Sequence, residues 1–151
     1  MTNEELKEYL TGQFPEANVV QGPQFVEMTV SAETLLATAG KLKNAKETSF
    51  DYLMNLTGID YPDCISVVYH LESTRLHQVM VLKVKTANRE EPVLDTVTPV
   101  WRTAKYHERE VFDLLGVKFN NHTDLRRLFL EDDWGYPLRK DYVDEVRIIS
   151  R

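Results

Sequence analysis

A chain of 151 residues, 42% hydrophobic and 28% charged, is long enough for one domain with a real core and ordinary for a globular protein. Its net charge of −6 counts against nucleic acid as the main partner, because neutralising phosphates takes a basic face. The single cysteine, Cys64, excludes an internal disulfide and the multi-cysteine frameworks of iron–sulfur clusters and structural zinc. No apolar run approaches the roughly 18 residues that span a bilayer, so a membrane role is expected only through partners. The opening MTNEELKEYL is acidic and lacks an apolar centre; it reads as neither a signal nor a transit peptide.

The first predicted element is a helix over 3–11, with Thr2 or Asn3 as cap, Leu6, Tyr9 and Leu10 on one face, and Gly12 closing it. Val19 to Gln21 suits a strand. Gly22-Pro23 marks a turn, and Phe25 to Val30 alternates as a second strand. Ser31 is placed to cap a helix from Ala32 to Lys43, with Leu35, Leu36, Ala39 and Leu42 inward. Lys41, Lys43 and Lys46 gather near its C-terminal end, where the helix dipole favours cations. Phe50 to Asp60 is a third extended segment, stopped by Tyr61-Pro62. A hairpin follows, with Ile65, Val67, Tyr69 and Leu71 facing Leu76, Met80, Leu82 and Val84, and its turn at Glu72 to Arg75. Asn88 to Thr96 reads as a polar linker. The predicted class is α+β: two layers, helices on one face of a mixed sheet, then a long extended C-terminal arm. The division falls at a body of residues 1–116 and an arm of 117–151.

The last predicted helix carries the most information. Trp101, Ala104, Phe112 and Leu115 share one helical stripe, with Val111 at its flank. Pro99 suits its first turn and Gly116 the position just past its end. At about 100° per residue, Glu108 lies within the stripe and Arg109 on its edge, while Glu110 and Asp113 point away. A carboxylate facing the core is costly unless paired, and Arg126, Arg127, Arg139 and Lys140 are the available cations. Beyond a short strand at 117–119 no period survives. From His107 onward 18 of 45 positions are charged, yet Leu125, Leu128, Phe129, Leu130, Trp134, Tyr136, Leu138 and Tyr142 run through them. Disordered tails are poor in aromatics. Such an arm is read as a device that docks on a partner surface, with apolar anchors and arginines that take carboxylates; the alternative is that it wraps its own domain.

Catalytic chemistry is scarce. A two-residue hairpin loop would set His70 across from His77, but with no third ligand the pair reads as solvated rather than metal-binding. Glu131, Asp132 and Asp133 point in different directions and read as a solvated or arginine-paired loop. Glu108 and Glu110 stand about 160° apart and cannot share a site. There is no glycine-rich phosphate loop, and Cys64 reads as packing. No catalytic residue, cofactor ligand or metal ligand is assigned.

The residues Trp101, Ala104, Glu108-Arg109-Glu110 and Asp113 to Phe119 resemble the signature helix of the C-subunit family of respiratory complex I, the proton-pumping NADH:quinone oxidoreductase. His122, Asp124 to Leu128, Asp132-Asp133-Trp134 and Pro137 to Tyr142 continue the likeness over about the last third of the chain. Departures fall at His107, Thr123, Gly135-Tyr136 and Val143, positions that affect how the arm bends rather than its charged anchors.

The resemblance implies a two-layer α+β subunit of the peripheral arm that carries no flavin, cluster or quinone itself. FMN, iron–sulfur clusters and quinone would belong to partner subunits. The expected partners are the subunit related to the large subunit of nickel–iron hydrogenases and the one holding the terminal cluster. The expected location is the cytoplasmic side of a bacterial plasma membrane. The signature residues carried over as partner-binding are Glu108, Arg109, Glu110, Asp113, His122, Arg126, Arg127, Asp133, Trp134, Arg139, Lys140 and Tyr142. An equivalent subunit of a membrane-bound hydrogenase or formate hydrogenlyase is the alternative.

Overall fold

The computed structural model describes residues 1–131 and 134–142. Helix α1 spans Asn3–Gln13 and opens on a reciprocal cap: Thr2 accepts from the Glu5 N–H at 3.2 Å while Glu5 accepts from the Thr2 N–H at 2.8 Å. It runs through Gly12 rather than ending there. Leu6 and Leu10 are its buried face. Strand β1 (Asn18–Gln21) pairs antiparallel with β2 (Val26–Ser31), whose Val26, Met28 and Val30 face inward. Ser31 does not cap the next helix directly. A single 3-10 turn (Ala32–Thr34) intervenes, and Ser31 shares a hydroxyl contact with Thr34 instead. Helix α2 (Leu35–Asn44) then buries Leu35, Thr38, Ala39 and Leu42, with Thr38 taking the place expected of the half-buried Leu36.

Strands β3 (Tyr52–Asp60), β4 (Ile65–Ser73) and β5 (Gln78–Lys85) form an antiparallel meander. The five-stranded sheet has the order β1-β2-β5-β4-β3, with β2 and β5 parallel at its centre. The chain is therefore α+β with a mixed sheet, as its pattern of elements indicates. The β4–β5 loop has four residues, not two: Ser73 pairs with Gln78, and the His77 N–H donates to Ser73 O at 2.8 Å. That register sets His70 opposite Val81 and leaves exposed His77 in the turn with a positive φ of 53°. The two histidines are not a cross-strand pair.

The 88–96 stretch is more than a linker. It contains β6 (Val93–Asp95), which pairs in parallel with β7 (Lys118–Asn120) across α3 (Ala104–Leu115). The last helix also starts later than Pro99. Val97 O accepts from the N–H groups of both Val100 and Trp101, making a separate turn, and the indole of Trp101 donates to Phe50 O at 2.9 Å. Gly116 ends α3 in the left-handed conformation, φ 80°, as a C-terminal glycine should. Any Cβ at Gly58 would run into Leu115, so this glycine lets α3 lie close on β3. Leu6, Leu10, Leu35, Leu42, Phe50, Tyr69, Leu82, Trp101, Val111 and Leu115 belong to one continuous core. Among the described residues, no helix is long and apolar enough to cross a membrane.

Candidate functional site: the clasp between helix and arm

The arm folds back on the last helix, and the contact is built from charges that the helix itself supplies. Asp113, which the helical wheel turns away from the core, has a fully buried side chain. One oxygen accepts the N–H groups of Phe129 and Leu130 at 2.8 and 3.2 Å, and the other meets Arg127 Nη1 at 3.3 Å. Asp113 lies about 140° round the helix from Glu108, off the core stripe; the arm, not the sheet, covers that side. Arg109 works in the opposite sense. Its Nε and Nη2 donate to the carbonyls of Arg126 and Arg127 at 3.2 and 3.0 Å. One helix thus offers an acceptor and a fork of donors to adjacent stretches of the arm backbone.

Arg127 ties the return path. It donates to Asp113 O at 2.9 Å, to Gly135 O at 3.0 Å and to Trp134 O. Its guanidinium and that of Arg139 sit 5.1 and 4.9 Å from the Tyr136 ring centre, and Phe112 lies 6.4 Å from the same ring. Arg139 Nε donates to Leu115 O at 2.7 Å, and the Leu138 N–H donates to Leu114 O at 3.0 Å. These carbonyls end a helix, where the dipole favours a cation. Gly116 is required here twice over. Its φ suits glycine, and a Cβ would stand 2.7 Å from the Tyr136 ring and 2.8 Å from Arg139.

A second tie holds the arm's end to the sheet. The Arg89 guanidinium grips buried Asp60 at 2.8 and 2.6 Å and reaches Asp141 at 3.1 and 3.3 Å. The Lys140 N–H donates to Asp60 at 2.8 Å, while its side chain is exposed. The Arg89 bond holds the Asp60 carboxyl below the usual carboxylate range, and the guanidinium is held above its own ordinary value. Nothing in the sequence spacing signals Arg89, 29 residues from Asp60 and 52 from Asp141.

Glu108 is fully buried as its place on the stripe implies, but its partner differs from the expected arm cation. Its Oε1 accepts from the Thr96 hydroxyl at 2.5 Å and its Oε2 from the Val97 N–H at 3.0 Å. It faces the 96–98 turn, whereas the arm's arginines lie across the helix. Burial pushes its carboxyl up from 4.5 to about 7, the two hydrogen bonds opposing the shift. His122 Nε2 is 4.0 Å from Glu108 Oε1, and His122 is fixed by Lys105 O and the Asp124 N–H, each at 3.0 Å.

The remaining signature residues are distributed more loosely. Arg126 is 68% exposed and bonds Asp124 at 2.9 Å. Glu110, Trp134 and Tyr142 are half-buried, and Tyr142 packs near Gly135. Asp133, with Asp132, lies outside the described residues. Three large apolar side chains on this side are exposed: Tyr106, Phe129 and Leu138. Buried Cys64 has its thiol pushed up by burial, which fits a packing role. Among the described residues no three His, Cys, Asp or Glu side chains converge as a metal site would.

The family model for the respiratory-chain NADH dehydrogenase 30 kDa subunit matches residues 28–146. The chain belongs to that family. Within it, the NADH-quinone oxidoreductase C subunit of Moorella thermoacetica is 40% identical over 132 residues, covering 85% of this chain and 87% of that protein. The NADH-quinone oxidoreductase C/D subunit of Phocaeicola vulgatus is 47% identical over 119 residues, 78% of this chain. This chain spans about a fifth of such C/D relatives, covering 22% of that one. Among solved structures, a chain of the membrane-bound sulfane sulfur reductase, described as an archaeal respiratory membrane complex, superposes with a TM-score of 0.81 at 25% identity. The match covers 97% of this chain and 88% of that one.

Proposed function

We propose that the chain is a non-catalytic structural subunit of a proton-translocating NADH:quinone oxidoreductase. In this reading it supports electron transfer from NADH through FMN and iron–sulfur clusters, all held by partner subunits, to quinone. The observation that carries the reading is the clasp. Buried Asp113, Arg109 and Arg127 hold an irregular arm in a defined path that leaves Phe129 and Leu138 on the surface, 69% and 59% exposed. Large apolar groups on a rigidly held, arginine-rich segment are what a partner's pocket recognises. The partners proposed are the hydrogenase-large-subunit-like protein and the terminal-cluster protein of the peripheral arm. The chain would reach the cytoplasmic side of a bacterial membrane through them.

The likeness to a chain of the sulfane sulfur reductase complex favours a second reading, in which the same scaffold serves a related membrane-bound complex with another electron donor or acceptor. One experiment separates these. Membranes from cells deleted for this chain are expected to lose NADH-driven quinone reduction and to regain it when the chain is restored. Undiminished activity in the deleted membranes contradicts the first reading, and loss of a different membrane oxidoreductase activity supports the second.

A further inference from the structure

We propose that Glu108 is an internal proton-binding site, and that gain or loss of its proton switches the Thr96 hydroxyl, in a relay from Glu108 through Thr96 to Thr98, between donating to Glu108 and donating to Thr98. The site is separate from the clasp, on the other side of the helix.

The geometry is a chain of three oxygens. Thr96 Oγ1 lies 2.5 Å from Glu108 Oε1 and 3.0 Å from Thr98 Oγ1, and it also accepts the Thr98 N–H at 3.1 Å. A hydroxyl has one proton to donate and two lone pairs. While Glu108 is a carboxylate, that proton is committed to Oε1, and Thr98 Oγ1 receives none from Thr96. When a proton from solvent adds to Oε1, the new carboxylic O–H donates to Thr96 Oγ1. The Thr96 proton is then released to Thr98. In both states the Thr96 proton has an acceptor, so the site accommodates either charge by the turn of one hydroxyl.

Among the described residues, no lysine or arginine is paired with Glu108. On the strand side Tyr69 from β4 faces it, fully buried, with its hydroxyl unpartnered among the described residues and its ionisation pushed well up by burial and by Glu108. From the segment after β7 comes His122. Its Nδ1 accepts the Asp124 N–H, which places the ring proton on Nε2, where Lys105 O accepts it. On the helix itself, Arg109 is turned to the arm carbonyls and the Lys105 amine to Asp124 at 3.9 Å. The carboxyl's elevation to about 7 by burial agrees with a proton exchanged near neutrality.

The test is a pH titration of the carboxyl carbon of Glu108 by NMR in the full chain labelled at glutamate, the signal being identified by its absence in Glu108→Gln. The expected midpoint is near 7, well above the other glutamates. Thr98→Val removes the acceptor that the protonated state needs and strands a Thr96 donor, so the midpoint is expected to fall by about half to one pH unit. Thr98→Ser, which restores the hydroxyl, is expected to return it. A wild-type midpoint below 5 overturns the proton site. A midpoint near 7 that Thr98→Val leaves in place overturns the relay.

Discussion

Replacing Arg127 with alanine removes several bonds at once. The side chain donates to Asp113 O, Asp113 Oδ1, Gly135 O and Trp134 O, and stacks on Tyr136. Its loss leaves the buried Asp113 carboxylate, among the described residues, with two backbone N–H donors. Breaking a buried ion pair by removing one partner costs about 3–5 kcal/mol. The arm can peel away locally, so that cost shows first as a population of detached arm, raised about 10²- to nearly 10⁴-fold, before the body unfolds. Arg126 is the internal control. It is adjacent in sequence but 68% exposed, and its bond to Asp124 is a surface pair worth less than about 1 kcal/mol. The assay is amide hydrogen exchange in the full chain, read at Phe129 and Leu130, whose N–H groups end on Asp113. Arg127→Ala should accelerate both sites by that factor, with α1 and the central sheet unchanged; Arg126→Ala should alter them by less than about fivefold. Equal behaviour of the two variants would refute the reasoning that the clasp depends on burial rather than on charge count.

Three further outcomes follow from the same geometry. Glu108 has a folded-state value raised to about 7, so its proton is bound more tightly folded than unfolded. The associated stabilisation is complete below about pH 4.5 and is lost as pH rises to 7, about 3 kcal/mol in all. Urea unfolding at a series of pH values should show that decline in the wild type and its absence in Glu108→Gln; parallel curves would contradict it. Asp60 shifts the other way: the stability from its Arg89 bond is present above the ordinary carboxylate value and lost as pH falls through its lowered one. Arg89→Ala should therefore move acid unfolding, followed by circular dichroism, to higher pH. Gly116→Ala meets both a positive φ and the Tyr136 ring, and should lower Tm by several degrees, a cost of about 1–2 kcal/mol or more.

The body of the fold is legible in the sequence because its signals are local. Alternation in 65–71 and 80–84, the Thr2 cap and the Gly116 stop each depend on a few neighbouring residues and survive folding unchanged. Parts that depend on distant pairing are not legible. The three residues of β6 lack alternation of their own and become a strand only because β7 returns beside them. The hairpin register hinges on a four-residue loop, and Ser73 with its contacts to the turn sets that length.

The site shows the same division. A helical wheel marks Glu108 as inward because it knows one buried stripe, that of the core. It cannot see that the arm buries a second stripe containing Asp113, so the carboxylate that the wheel turns outward is the one that holds the arm. The arginines are recognisable as anchors, but their unequal burial, Arg127 against Arg126, is a property of the folded path.

The most direct measurement of the central claim is the company the chain keeps. A tagged chain, expressed at its native level and purified from membranes in mild detergent, is expected to bring down flavin- and iron–sulfur-containing partners that reduce quinone with NADH. Arg127→Ala should reduce that yield while leaving turnover per assembled complex unchanged. Recovery of the wild-type chain as a lone monomer, free of flavin and iron, would contradict the account.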